Sequence, residues 1–218
     1  MAAEARGFVV TGTDTGVGKS YFAALLIRAL RDAGHDAVGF KPVCCGGRED
    51  AAELWEAGGR AEPLDAVNPV HLLAPAAPAV AAELEGASLE VRQLCSHGES
   101  LAMRHEIVVC EGVGGWEVPL TGEQTFADFA VELGWPVILV VANRLGALNH
   151  TLLTAKAIEA RRLPLAVLVL NHLEEERDVA MVSNKAVIAD WVNPPVLAEL
   201  MPGQDWLEAD LLDRIGGP

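Results

Sequence analysis

The stretch VTGTDTGVGKS spans Val10 to Ser20, and its part from Gly12 to Ser20 holds three glycines, three hydroxyl side chains and one lysine. Such a loop can turn its backbone N–H groups inward around a phosphate. A helix beginning at Lys19 adds positive charge at its N-terminus. Gly16, Val17 and Gly18 would then cradle a triphosphate, Lys19 would reach its β- and γ-phosphates, and the Ser20 hydroxyl would hold Mg2+. The plainer alternative is a tight strand-to-helix turn capped by Ser20. The spacing is also unusual. A phosphate loop normally reads G-x-x-x-x-G-K-[ST], and here the early glycine is Gly12, one place before that pattern puts it. The G-x-G-x-x-G fingerprint of dinucleotide sites is absent from the stretch.

Other residues with chemical potential follow apolar runs. Lys41 comes after AVGF, and a lysine on a buried strand is costly unless an anion faces it. The alternative is a lysine that snorkels to the surface. Asp50 lies in GGREDAAELW, either as a metal ligand or as a helix-start carboxylate. Glu111 closes IVVCE, where P-loop enzymes keep the acidic residue that holds Mg2+. Gly112, Gly114 and Gly115 follow it and leave space for a ligand against backbone. Gly146 and Ala147 open a helix whose N-terminus can accept a carboxylate. Asn171 ends VLVLN, and its amide can both donate to and accept from a purine edge. The six histidines show no metal-ligand spacing, and no G-x-S-x-G is present.

The elements that must position these residues read as alternating strands and helices. Strands are expected at 8–11, 37–43, 107–112, 137–142, 165–170 and 195–200. Helices are expected at 19–32, 50–57, 89–103, 125–133, 147–162, 178–191 and 206–215. Residues 62–80 are proline-rich and read as an ordered loop with a short helix. Strands apolar throughout imply a mostly parallel sheet with helices on both faces, with ligands beyond the strands' carboxyl ends. The expected fold is α/β, one P-loop NTPase-like domain over residues 1–218.

The chain has 218 residues, 51% of them hydrophobic, and a net charge of −15. An acidic chain without a basic run argues against nucleic acid or anionic membrane as partner. The apolar runs PVILVVA and PLAVLVL are too short to span a bilayer. No signal peptide is evident, and Cys44, Cys45, Cys95 and Cys110 read as reduced thiols of a cytoplasmic protein.

Taken together, VTGTDTGVGKS, GFKPVCCG, CEGVGGWEVPL, FADFA, PVILVVANRLGALNHTLLTA and LNH resemble the dethiobiotin synthetase family of biotin synthesis, in the family's order and over most of the chain. The longer step from Gly12 to Gly18 matches that family's loop. The resemblance implies an ATP-dependent ligase that condenses 7,8-diaminononanoate with CO2, giving a cyclic urea, ADP and phosphate. It implies that Lys19 cradles phosphate, that Ser20, Asp50 and Glu111 hold Mg2+, and that Lys41 is the catalytic cation. Thr15 would lie by the γ-phosphate and the substrate, with Gly112, Val113 and Gly114 bordering substrate and nucleotide. Asn171 would read adenine, with His172 and Pro202 on the nucleotide side. Cys45 stands beside the substrate where the family usually has serine. Gly146, Ala147, Leu148 and Asn149 resemble the segment that binds the substrate carboxylate across a homodimer.

The rival from another class is a switch ATPase of the partitioning or cell-division kind. Those proteins carry an extra lysine early in the loop, and Val10 to Gly18 contains none. They often end in an amphipathic membrane helix, whereas DWLEADLLDRIGGP is acidic. A second rival, an amidotransferase-type synthetase, needs a glutaminase domain that 218 residues do not accommodate.

Overall fold

The computed structural model describes residues 6–208, 211, 212 and 215. In chain order the elements begin with β1 (Arg6–Gly12), α1 (Lys19–Asp32), β2 (Ala37–Phe40), β3 (Val43–Cys45) and α2 (Glu49–Ala57). Next come α3 (Leu64–Val67), β4 (Val70–Leu72), α4 (Pro78–Glu85), α5 (Val91–Ala102) and β5 (Ile107–Glu111). The second half is α6 (Phe126–Leu133), β6 (Val137–Ala142), α7 (Ala147–Ala160), β7 (Leu165–Asn171), α8 (Val179–Val192) and β8 (Leu197–Leu200).

Six strands form one sheet in the order β2-β5-β1-β6-β7-β8. Every pairing is parallel. Parallel strands need crossover connections, and these place helices on both faces. The side-chain alternation of β5 shows how. Val108 and Cys110 face the core shared with Phe40, Leu94, Phe126 and Phe129, while Ile107 and Val109 face Phe22, Leu25, Leu26 and Leu54. Each fully buried Leu or Phe contributes about 1.5–3 kcal/mol against exposure. Strand β1 lies centrally, so the loop after it opens at the middle of the sheet's carboxyl edge, between β5 and β6.

The strand expected over 37–43 is two strands in two sheets. Pro42 has no N–H to give a ladder, and the Lys41 N–H instead donates to the Val67 carbonyl at 2.7 Å. The chain leaves the main sheet there. β3 then pairs with β4, Val43 opposite Val70 and Cys45 opposite Leu72. The proline-rich segment contains more than a short helix, because α4 starts on Pro78 and stops at Gly86 in a left-handed conformation. Of the helix expected over 206–215, residues 206–208 are irregular, Leu211, Leu212 and Ile215 are helical, and the others lie outside the described residues. Among the described residues no helix is long and apolar enough to cross a membrane.

Candidate active site

The loop from Gly12 to Ser20 is tied at both ends. The Thr13 N–H donates to the β6 carbonyl of Val140 at 3.2 Å. Near the other end, Asn171 Nδ2 donates to the Val17 carbonyl at 2.9 Å. Both flanking glycines are required by space. A Cβ on Gly12 would meet Val17 Cγ2 at 2.6 Å. Gly18 sits at φ 93, and a Cβ there would meet Asn171 Nδ2 at 2.1 Å. Side chains seldom adopt that backbone region, so Gly18 answers both to its conformation and to Asn171.

Four side chains converge just beyond the loop. Ser20 Oγ donates to Glu111 Oε1 at 2.7 Å. Lys41 Nζ donates to the same Glu111 oxygen at 2.7 Å, to Asp50 Oδ2 at 2.9 Å and to the Gly112 carbonyl at 3.1 Å. Lys41 and Glu111 are 2% and 0% exposed, while Asp50 is half-exposed. Lys41 therefore does not snorkel to the surface; it is buried and faces anions. Burial alone would lower its pKa, but Glu111 and Asp50 outweigh burial and hold the ammonium above its ordinary range. Complete burial pushes the Glu111 carboxyl up, against the pull of Lys41. Burial also acts on Asp50, but Lys41 prevails and keeps that carboxyl below its usual value. Lys19 is buried too, and its Nζ bends back onto the Asp14 carbonyl at 2.9 Å. Desolvation brings its pKa down to about 8, with Glu111 opposing.

These groups line a cavity of about 760 Å3. Of the residues expected at the site, Thr15, Gly16, Gly18, Lys19, Ser20, Lys41, Cys45, Asp50, Glu111, Val113 and Gly114 border it. Cys44 and the segment from Pro75 to Pro78 also border it, as does Tyr21. Sequence reasoning passed over these. The signal in reach was Pro78, which sits at the first turn of α4 and brings the segment over the cavity. Burial pushes both thiols up, Cys44 to about 11, so both stay protonated at neutral pH.

Other expected residues stand apart from the cavity lining. Val17 and Gly112 are buried behind it, and a Cβ on Gly112 would strike Phe126 Cζ at 2.6 Å. Asn171 is 4% exposed and holds Val17. His172 is sealed in a polar cluster at the ends of β6, β7 and β8, with its Nε2 3.2 Å from both Asn143 Nδ2 and Glu199 Oε1. Pro202 is exposed. Gly146, at φ 90, caps α7 without a side-chain hydrogen bond; Ala147 is buried, Leu148 half-buried and Asn149 exposed.

Among the described residues no group of three His, Cys, Asp or Glu side chains forms a metal centre. What converges is one hydroxyl and two carboxylates, all hard oxygen donors. Glu111 Oε2 is buried with no hydrogen-bond partner among the described residues. Mg2+ takes one or two carboxylates and completes its shell with phosphate and water. Ser20, Asp50 and Glu111 fit that requirement, and the idle Glu111 oxygen is the atom a cation would satisfy.

The family model described as an AAA domain matches residues 6–205. Solved structures of similar fold include a ParA family ATPase from Chlorobium tepidum TLS, with TM-score 0.58 and 16% identity over 94% of this chain and 86% of that one. Another is a chain of the MinC:MinD cell division protein complex of Aquifex aeolicus, with TM-score 0.56 and 15% identity over 97% of this chain and 85% of that one. These likenesses show the fold alone, a P-loop NTPase-like parallel sheet with helices on both faces. Closer in sequence is an ATP-dependent dethiobiotin synthetase BioD of Akkermansia muciniphila, 46% identical over 96% of this chain and 99% of its own length. A relative of the same name in Anaeromyxobacter dehalogenans strain 2CP-C is 47% identical over 89% of each chain. At that identity over nearly the whole length of both, the chain belongs to the ATP-dependent dethiobiotin synthetase family.

Proposed function

We propose that this chain, as one synthetase domain over residues 1–218, closes a cyclic urea on 7,8-diaminononanoate with CO2 and MgATP, releasing dethiobiotin, ADP and phosphate. The observation that carries this reading is Lys41 Nζ, 2.7 Å from Glu111 and 2.9 Å from Asp50 beside the phosphate loop. One substrate amine captures CO2 as a carbamate. A carbamate oxygen then attacks the γ-phosphorus and ADP leaves. The second amine attacks the carbamate carbon, closes the ring and expels phosphate. The carbamate, its phosphorylated form, the nucleotide and the released phosphate are all anionic, so the protein's task is to position and neutralise charge. Lys41 turns to the carbamate and the transferred phosphoryl group. Lys19 leaves the Asp14 carbonyl for the β- and γ-phosphates, and Thr15 borders the γ-phosphate. Ser20, Asp50 and Glu111 would hold Mg2+, which when bound offsets charge on the phosphates. Cys45, Val113 and Gly114 border the substrate, with Gly112 buried behind them. Asn171, His172 and Pro202 lie on the adenine side.

We also infer a homodimer. In one chain, none of the residues from Gly146 to Asn149 borders the cavity. Yet this segment begins a helix of 14 residues with an uncapped N-terminus, a favourable place for a carboxylate. A second copy brings it to the substrate. Four free thiols support a reducing, cytoplasmic compartment.

The test is phosphate release from MgATP with bicarbonate, with and without diaminononanoate. Turnover should depend on the diamine and yield the cyclic urea. ATP turnover indifferent to the diamine would sink the reading in favour of a switch ATPase.

A further inference from the structure

Asn171 ends β7, and its backbone carbonyl accepts from the Asn143 N–H at 2.8 Å. Its side chain is almost wholly buried, and Nδ2 donates to the Val17 carbonyl across 154 residues of sequence. Between this tie and the Thr13–Val140 tie, residues Asp14 to Gly16 are exposed. Val17 and Gly18 are thus the loop's fixed end, one residue before Lys19.

We infer that Asn171 is a positioning residue for the phosphate loop, acting through the Val17–Gly18 peptide, in addition to its place on the adenine side. A trans peptide points its C=O and N–H in opposite directions. Holding the Val17 carbonyl toward Asn171 therefore turns the Gly18 N–H away from Asn171, and Gly18 borders the cavity. The contact is close enough to select the loop residue, because any Cβ on Gly18 would collide with Asn171 Nδ2 at 2.1 Å. Released, the Val17 carbonyl would be free to rotate its negative end toward the phosphates. The same amide thus orders the phosphate loop and stands where the base arrives, so base and phosphate recognition share one side chain. This inference rests on the nucleotide reading above.

The experiment separates the two roles with a probe that has no base. Binding of inorganic tripolyphosphate with Mg2+, and of MgATP, is measured calorimetrically on the native protein and on Asn171→Ala. The native protein should bind both. The variant should bind tripolyphosphate about tenfold or more weakly, the effect of losing one donor to a charged ligand. Should Asn171→Ala fail to fold, Asn171→Leu keeps the branched shape and removes the donor without adding charge, and the same loss is expected. The inference is overturned if tripolyphosphate affinity stays within about twofold in a folded variant, or if the native protein does not hold tripolyphosphate. In the first case, a loss confined to ATP leaves the adenine assignment standing, so the two failures are distinguishable. Diamine-dependent turnover of the native protein tests the overall function separately.

Discussion

Lys41 and Glu111 form an ion pair at 2.7 Å with both side chains closed to solvent, 70 residues apart in sequence. The pair joins the end of β2 to the end of β5, neighbouring strands of the main sheet. A buried pair of this kind adds little stability by itself, but removing one partner strands the other charge.

Lys41→Ala should therefore fail twice. Turnover falls by about 10²–10³ with the loss of one preorganised charge, while ATP binding is largely spared. Stability falls by about 3–5 kcal/mol, because Glu111 is left buried and unpaired. Steady-state kinetics and denaturant unfolding read the two effects. A near-normal kcat would remove Lys41 from the mechanism.

Cys45→Ser should lower the KM for the diamine by up to about tenfold, or leave it unchanged, since a hydroxyl donates better than a thiol. The cavity tolerates the smaller atom and kcat should hold. A large loss of activity would show that the thiol has a role of its own.

Asp128 gives a stability prediction with a pH signature. Its Oδ2 accepts from the Thr125 N–H at 2.7 Å, closing a capping box at α6, and Arg161 pairs with its other oxygen. The Thr125 N–H, with Arg161 helping against burial, holds the carboxyl below its usual range. A depressed carboxyl stabilises the fold above its unfolded pKa, about 3.9, and this is lost as pH falls through the folded value. Asp128→Asn should be about 0.5–1 kcal/mol less stable at neutral pH, with the gap closing below about pH 4. A gap of constant size down to pH 3 would contradict the charge's part in it.

Subunit mixing tests the shared site. Asn149→Asp sets a negative charge where the substrate carboxylate is proposed to bind, and should raise the KM for the diamine without unfolding α7. Lys41→Ala and Asn149→Asp proteins, each poorly active at low diamine, are refolded together at equal amounts. If each site draws on two chains, half the dimers are mixed and each has one intact site, so about a quarter of native activity returns. No regain in mixtures shown to contain hybrids would place both residues in one chain's site.

Much of the scaffold was legible because its signals are local. Helix α1 begins and ends where the apolar stripe and Gly34 placed it, and β6 matches its apolar run residue for residue. The break after Phe40 was less legible. It depends on a hydrogen bond from Lys41 to Val67, which neither apolar pattern nor propensity encodes, although Pro42 was a cue. Helix α4 was obscured by the prolines around it, even though Pro78 and Gly86 punctuate both its ends. The site divides the same way. Lys19 and Ser20 stand in a motif with its own spacing. That Lys41, Asp50 and Glu111 share one site came from the family resemblance, and their direct contacts were not legible in the sequence. The tie from Asn171 to Val17 was out of reach, since a side chain's choice between ligand and backbone is made by tertiary packing.

The bonds that assemble the site, Lys41 to Glu111, Ser20 to Glu111 and Asn171 to Val17, close 70, 91 and 154 residues of chain. Contacts so distant in sequence form late, after loop-closure entropy has been overcome. A nascent or partly folded chain, even one with its first helix formed, therefore lacks the hydroxyl–carboxylate–lysine cluster. ATP turnover on refolding should lag the far-ultraviolet signal of the helices, and immature chains should not squander nucleotide.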